Sequence, residues 1–209
     1  MKAPTRLYSR QEITDLPDRD WMRLVGEWAY PDRKHTMQSA VALSYFNGAK
    51  MIVETGCIRG WAGDGQSTLI LATLAIRLGA AFHSIDLSPQ HIENAQKWLG
   101  PLADTVVWHT ADSIGVLKAW DKGTIDLLYL DSYDYEVANP TPCQQHQLEE
   151  AKKTFPHLEH TSIVLMDDAN QDNGGKVKLS KGFFLSKGWV AEAEHYQLMM
   201  RSREAVGVH

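Results

Sequence analysis

The sequence predicts an α/β fold, with a doubly wound and mostly parallel sheet covered by helices on both faces. Three observations predict it. Short apolar segments alternate along the chain with segments of helical periodicity. Residues 50–79 contain an apolar strand, a turn with four glycines and a helix in succession. Residues 125–130 are apolar almost throughout, as expected for a strand that is buried on both faces.

Each predicted strand is bounded by turn residues or by an acid. The predicted strands are 51–53, 81–85, 106–109, 125–130, 162–166, 189–193 and 195–201. The predicted helices between them are 37–46, 69–76, 89–99, 114–120, 142–155 and 176–187. The last two strands are close enough in sequence to form an antiparallel hairpin at one end of the sheet.

The N-terminal segment differs from the rest of the chain. We expect residues 1–35 to be an arm followed by a helix, and residues 36–209 to form the main domain. Residues 1–17 are polar and predict an extended arm. Trp21, Leu24, Val25 and Trp28 then have the spacing of one helix face. We expect this face to pack on the main domain; covering a cleft or forming a dimer contact is the alternative.

Composition excludes several classes of protein. The chain has 209 residues and a net charge of -5, so we expect no nucleic-acid partner. No apolar run is long enough to span a membrane, and the first residues lack the apolar core of a signal peptide. The two cysteines, Cys57 and Cys143, form no metal-binding or disulfide pattern, which predicts free thiols in a cytoplasmic protein.

The glycine-rich turn predicts a ligand site. A helix that begins after such a turn presents free N–H groups to a ligand, with Asp64 or Ser67 as its predicted cap. Glu54 stands at the mouth of the turn, where its carboxylate would repel a pyrophosphate but attract an ammonium or a sulfonium. The spacing of Gly56, Gly60 and Gly63 also differs from the dinucleotide pattern G-x-G-x-x-G.

Carboxylates recur where the predicted strands end. They are Glu54, Asp86, Asp112, Asp131 and the pair Asp167 and Asp168. The carboxyl ends of parallel strands meet at one edge of a sheet, so these side chains should lie near one another. Clustered like charges raise one another's pKa and destabilise a fold unless donors or cations satisfy them. A ligand explains the clustering better than solvation does.

The run from Glu54 to Gly60, ETGCIRG, resembles motif I of the class I S-adenosylmethionine-dependent methyltransferases. Asp86, Asp112 and Asp131 extend the resemblance, which covers roughly residues 36–201. It implies a Rossmann-like, seven-stranded sheet of order 3-2-1-4-5-7-6 with one antiparallel strand. The segment WAGDGQ after Gly60 is longer than the usual turn of this family.

The resemblance implies S-adenosylmethionine as cofactor. The implied cofactor-binding residues are Glu54, Gly56, Cys57, Gly60, Ser67, Asp86, Leu87, Asp112, Ser113 and Asp131. By resemblance, Asp86 binds the ribose hydroxyls, Leu87 packs on the adenine, and Asp112 with Ser113 meets the adenine amino group. The glycine turn and Asp131 meet the methionine part of the cofactor.

The acids Asp131, Asp167 and Asp168 resemble the metal ligands of Mg-dependent O-methyltransferases of the catechol and macrolide-sugar types. The resemblance therefore implies a divalent cation such as Mg, with Asp131 and Asp168 as the catalytic residues. Without a metal, the base must be a side chain, and Asp131, Asp168 and His35 are candidates. Trp61, Tyr133 and Tyr135 are candidates for stacking on a flat acceptor.

We expect the acceptor to be a hydroxyl of a small molecule, such as a sugar or a polyketide-type metabolite. Homodimers are common in the resembled family, so a homodimer is possible here as well. Two alternatives remain open from the sequence. One is an NAD(P)-dependent oxidoreductase on a similar sheet. The other is a non-catalytic binding protein that keeps the methyltransferase fold.

Overall fold

Seven strands form a single sheet in residues 8–60 and 66–207, which a computed structural model describes. The order is β3-β2-β1-β4-β5-β7-β6, with β7 antiparallel to both of its neighbours. This confirms the predicted order and the single antiparallel strand. The strands are β1 Met51–Thr55, β2 Ala81–Asp86, β3 Val106–Thr110, β4 Leu127–Leu130, β5 Ile163–Met166, β6 Trp189–Glu194 and β7 Leu198–Ser202.

Helices cover both faces of the sheet. They are α1 Arg10–Asp15, α2 Asp18–Trp28, α3 Lys34–Phe46, α4 Ser67–Leu78, α5 Pro89–Leu99, α6 Ser113–Lys118, α7 Thr141–Thr154, α8 Lys178–Ser186 and α9 Arg203–Val206. Short 3-10 turns occur at Gly100–Thr105, Phe155–His157 and Asp172–Gly174. No described helix combines the length and the apolar character that crossing a membrane requires.

The alternation of side chains along each strand divides the core into two layers. In β4, Leu127 packs into the core on the face of α1–α5, while Leu128 packs into the core on the face of α6–α8. Both layers are buried, which explains why the sequence of this strand is continuously apolar.

The N-terminal segment is more ordered than the sequence predicted. An extended arm was predicted for residues 1–17, but residues 10–15 form α1. The reason is a capping box: Ser9 Oγ accepts the Glu12 N–H at 3.2 Å, and the Ser9 N–H donates to Glu12 Oε2 at 2.8 Å. Residues 1–7 lie outside the described part of the chain.

Helix α2 packs on the body of the domain, as favoured from its sequence. Trp21, Val25 and Trp28 are buried in the layer that also contains α4, and Trp21 Nε1 donates to Thr73 Oγ1 at 3.0 Å. The alternative role of this face, covering a cleft, is therefore wrong, because its apolar side chains are already buried against α4.

Several predicted boundaries moved, including the starts of α8 and β7. Helix α8 begins at Lys178 rather than at 176, so that Lys176 lies in the preceding loop. Strand β7 begins at Leu198 rather than at 195, because residues 195–197 form the link to β6, closed by the His195 N–H donating to the Gln197 carbonyl at 2.9 Å.

Arg77 ties the N-terminal helices to α4. Its guanidinium donates to the carbonyls of Ile13 at 3.0 Å and Leu16 at 2.7 Å, and it pairs with Asp18. It also stacks over the Trp21 ring at 4.9 Å. One nearly buried side chain therefore satisfies the carbonyls at the end of α1.

We predict that Arg77→Met lowers the free energy of unfolding by roughly 2–3 kcal/mol, because the carbonyls of Ile13 and Leu16 lose a charged donor. Urea unfolding followed by circular dichroism measures it. Arg23→Met is the matched control, since Arg23 forms an exposed pair with Glu27 on α2 and its loss should change little. Equal effects of the two substitutions would contradict this role of Arg77.

Candidate functional site

A cleft of about 660 Å³ opens at the carboxyl ends of the parallel strands. It lies where β1 separates β2 from β4, which is the point at which the strand order reverses. Among its lining residues are Gly56, Cys57, Ser67, Asp86, Leu87, Asp112, Ser113 and Asp131. All of these were predicted to bind a cofactor. Of the described residues predicted for that role, Glu54 and Gly60 do not line the cleft.

Gly56 brings the ends of β1 and β4 together. Its φ of +80° is unfavourable for residues with a side chain, and a Cβ placed on it would lie 2.3 Å from the Asp131 carbonyl oxygen. The Gly56 N–H donates to the Ile85 carbonyl at 2.8 Å, and the Asp131 N–H donates to the Thr55 carbonyl at 2.9 Å. The position of Asp131 in the cleft thus depends on a glycine at 56.

Glu54 lies beneath the cleft rather than in it. Its carboxylate is fully buried and accepts from Ser67 Oγ at 2.5 Å and from Ser84 Oγ at 2.8 Å. Burial raises the pKa of Glu54 to about 7, although the serine hydroxyls oppose the shift. Glu54 therefore does not line the cleft, but it holds Ser67, which does.

The start of α4 also differs from the expectation. The residue that precedes the helix is Gln66, in the left-handed region with φ 57°, and its side chain does not cap the first turn. Ser67 is turned towards Glu54 instead of capping. Asp64, the other predicted cap, and Trp61 lie outside the described residues.

Asp86 is held in a fixed orientation at the end of β2. Its carboxylate accepts the N–H of Cys57 at 3.2 Å and that of Ser88 at 2.8 Å, and the His91 ring lies 3.1 Å from it. Leu87 is 73% exposed beside it and presents an apolar surface to the cleft. A fixed acceptor beside an apolar patch suits a ligand with hydroxyls and a flat ring.

Asp112 and Ser113 occupy the start of α6. The Asp112 carboxylate accepts the Gly115 N–H at 2.9 Å and so caps the helix. Ser113 is buried, with its Oγ 3.1 Å from His146 Nε2. His146 also lies 3.5 Å from Glu150, and this contact raises the pKa of His146. Sequence reasoning missed His146, because α7 shows no motif around it.

Asp131, Asp167 and Asp168 converge, as predicted. One oxygen from each lies within 4.8 Å of the others, and among the described residues they form a group that could hold a metal. Asp167 is fully buried and accepts from Arg33 Nε at 2.9 Å and from Gln197 Nε2 at 3.0 Å. It does not line the cleft, whereas Asp131 and Asp168 do.

A buried lysine lies among these acids. Lys176 Nζ is 2.7 Å from Asp131 Oδ1 and 3.2 Å from Asp168 Oδ2, and it donates to the Tyr133 carbonyl at 2.8 Å. Burial lowers the pKa of Lys176, but the carboxylates outweigh burial and hold that pKa above its ordinary value. Conversely, burial and then Asp167 raise the pKa of Asp131, while Lys176 opposes this.

The observed arrangement does not fit a divalent cation without rearrangement. Arg33 engages both oxygens of Asp167, and Lys176 engages Asp131 and Asp168. Oxygen ligands of Mg must converge on one point with their lone pairs free. The metal implied by the sequence remains a prediction, and Lys176 would have to move for it to bind.

Sequence reasoning missed Arg33, Lys176 and Tyr196. Tyr196 and Arg33 line the cleft, and the Tyr196 hydroxyl donates to Asp168 Oδ1 at 2.5 Å. The sequence feature that could have indicated Lys176 is Gly175, which precedes it. In the structure Gly175 has a φ of +64° and lies so close to the Asp168 carbonyl that a side chain is excluded. Paired glycines before a lysine indicate a tight loop rather than a helix start.

The remaining side chains that were predicted to take part in the site do not lie together. Tyr133 lines the cleft and lies 5.4 Å from the His146 ring. Tyr135 instead donates its hydroxyl to the Asp172 carbonyl and is not among the cleft residues described. His35, a candidate base, is exposed on α3 and is likewise not a lining residue of the cleft in the described chain.

The sheet order, together with a cleft lined by acids at the strand ends, defines the methyltransferase class of α/β fold. A sequence profile for the family described as "Methyltransferase domain" matches residues 53–169, more than half of the chain. The chain therefore belongs to this family, as its resemblance to class I methyltransferases predicted. It matches no curated protein significantly.

Solved structures share the fold. An S-adenosylhomocysteine-bound methyltransferase of Podospora anserina, PaMTH1, is 17% identical with a TM-score of 0.59, covering 90% of this chain and 88% of its own. An O-methyltransferase of Bacillus cereus in complex with S-adenosylhomocysteine is 16% identical with a TM-score of 0.58, and the match covers 91% of this chain and 94% of that protein's chain. A methyltransferase of Geobacter sulfurreducens is 15% identical with a TM-score of 0.56, covering 90% and 91%.

We predict that Gly56→Ala lowers the free energy of unfolding by roughly 2 kcal/mol or more, because Ala adopts positive φ poorly and its Cβ would meet the Asp131 carbonyl. Chemical denaturation measures the change. Gly60→Ala is the control from the same motif, since no described atom lies within 4 Å of a Cβ at Gly60 and its φ is ordinary. A stability loss at Gly60 equal to that at Gly56 would refute the explanation.

We predict that Glu54→Gln removes a pH dependence of stability. The folded state holds the Glu54 proton more tightly than the unfolded state, so its contribution is present below pH 4.5 and is lost as the pH rises to about 7. The loss amounts to roughly 3 kcal/mol. Unfolding of both proteins should be compared at pH 5 and pH 8. Parallel stability curves for wild type and Glu54→Gln would show that this pKa is not raised.

Proposed function

We propose that this protein is an S-adenosylmethionine-dependent methyltransferase that acts on a hydroxyl of a small molecule. The observation that carries the proposal is the cleft itself, which has Asp86 fixed at one end and Asp131 at the other. Family membership supports the reaction class, and the S-adenosylhomocysteine-bound neighbours support the cofactor. The Bacillus cereus O-methyltransferase supports oxygen as the acceptor atom.

In this proposal the residues of β2 and α6 bind the nucleoside. Asp86 can accept from two ribose hydroxyls because its carboxylate is already oriented by backbone donors. Leu87 covers one face of the adenine, and Asp112 with Ser113 lies at the edge of the ring. The backbone at Gly56 and Cys57, with Ser67, faces the methionine part.

When bound, S-adenosylmethionine supplies an activated methyl group, so the protein has to align the acceptor and remove its proton. Asp131 and Asp168 face the cleft and are the proposed catalytic residues. Burial and then Asp167 raise the pKa of Asp131, which makes its carboxylate a stronger base towards an acceptor hydroxyl. The Tyr196 hydroxyl fixes Asp168, so one oxygen of that acid is oriented in advance.

The net charge of -5 supports a small acceptor rather than a nucleic acid. Tyr133, 45% exposed at the cleft, offers a ring on which a flat acceptor can stack. Cys57 and Cys143 are both free and buried, which supports the predicted cytoplasmic setting.

Asp86→Asn should weaken S-adenosylhomocysteine binding roughly tenfold, because the ribose loses a charged acceptor. Titration calorimetry measures the affinity, with the exposed Asp104→Asn as a control that should leave it unchanged. A wild-type protein stabilised by NAD but not by S-adenosylhomocysteine would identify an oxidoreductase. Tight S-adenosylhomocysteine binding without methyl transfer to any of a panel of hydroxylated acceptors would indicate a non-catalytic binding protein.

A further inference from the structure

We propose that the Lys176 ammonium occupies the position between Asp131 and Asp168 that a divalent metal would otherwise take. The methyl transfer proposed above therefore does not depend on a metal. The role in methyl transfer rests on the proposed function. The occupancy of the acidic cluster by Lys176 rests on the described contacts alone.

The ammonium of Lys176 is enclosed by oxygens from three residues. It donates to Asp131 Oδ1 at 2.7 Å and to the Tyr133 carbonyl at 2.8 Å, and it forms an ion pair with Asp168 Oδ2 at 3.2 Å. Lys176 is fully buried, 1% exposed, so these contacts replace the hydration that it loses. A carbonyl and two carboxylates are also the kind of oxygens that coordinate Mg or Ca.

The three carboxylates near the ammonium already have cationic partners. Arg33 binds Asp167 with both its Nε and its terminal nitrogen, which removes that acid as a ligand. Lys176 is then the cation shared by Asp131 and Asp168. A divalent ion entering beside Lys176 would meet a positive charge within a few ångströms, so the ion and the ammonium exclude each other.

The loop that carries Lys176 is closed tightly on Asp168. The Lys176 N–H donates to the Asp168 carbonyl at 3.0 Å, and Gln144 Nε2 donates to the Gly175 carbonyl at 2.8 Å. A Cβ at Gly175 would lie 2.2 Å from the Asp168 carbonyl oxygen. The backbone therefore fixes the Cα of Lys176 next to Asp168, and from this position the side chain reaches both carboxylates.

Lys176 acts through other residues rather than on the acceptor. It does not line the cleft, whereas Asp131 and Asp168 do. By holding one oxygen of each acid, the ammonium fixes both carboxylates towards the cleft and offsets part of their charge. This is the orienting part of what a metal would do, without an open coordination position for the acceptor oxygen. Lys176 is accordingly a positioning residue.

Mn²⁺ binding to the full-length protein tests the proposal, with electron paramagnetic resonance of free Mn²⁺ as the readout. Wild type should show no saturable site. Lys176→Ala removes the ammonium and opens space, so it should gain one saturable site at Mn²⁺ concentrations where wild type shows none. Lys176→Arg retains a positive charge and should not gain the site. Adding Asp168→Asn to Lys176→Ala should abolish the gain, which would locate the ion.

Stoichiometric Mn²⁺ binding by wild type, lost in Asp168→Asn, would overturn the proposal. So would a folded Lys176→Ala protein that gains no site. If Lys176→Ala does not fold, the wild-type measurement alone decides. S-adenosylhomocysteine binding is measured on the same samples: its absence in wild type would refute the proposed function but leave the Mn²⁺ result valid for the cluster.

Discussion

The site depends on the close approach of two backbones, at Gly56 and Asp131. The end of β1 can come this near to the end of β4 only because residue 56 has no side chain and tolerates a φ of +80°. That approach occurs where the strand order reverses, which is where open α/β sheets bind their ligands. The cleft, the orientation of Asp131 and the access of a ligand to the Gly56 backbone all follow from this single contact.

Gathering acids at one edge of a sheet creates a second constraint, because buried carboxylates destabilise the fold unless they are satisfied. The protein meets this constraint in three ways. Glu54 accepts two serine hydroxyls, and Asp86 accepts two backbone N–H groups. Asp131 and Asp168 share Lys176. The acids of the site therefore have different electrostatic environments, although they are the same kind of residue.

The N-terminal segment contributes to the site as well as to the core. Arg33 lies directly before α3, and its guanidinium binds Asp167 and stacks 4.4 Å over the Tyr196 ring. Helices α1 and α2 fix the path of the chain into α3 through their packing on α4, where Arg77 joins them. The sequence predicts residues 1–35 as a segment apart from the main domain. In the structure this segment supplies Arg33, which pairs with Asp167 of the acidic cluster.

The sequence alone determined the strands, their order through the family resemblance, and the edge of the sheet where the acids meet. These features depend on local patterns: apolar periods, glycines in turns, and an acid after each strand. The tertiary structure decided which acids face the cleft and what neutralises the others. In the sequence, Glu54 and Asp167 are acids at strand ends like the other candidates, yet in the structure both are buried. Arg33 reaches Asp167 from 134 residues away in the chain, and Lys176 reaches Asp131 from 45 residues away. Charge pairing at such separations has no period and no spacing, because it is set by how the elements pack, and so only the folded chain reveals it.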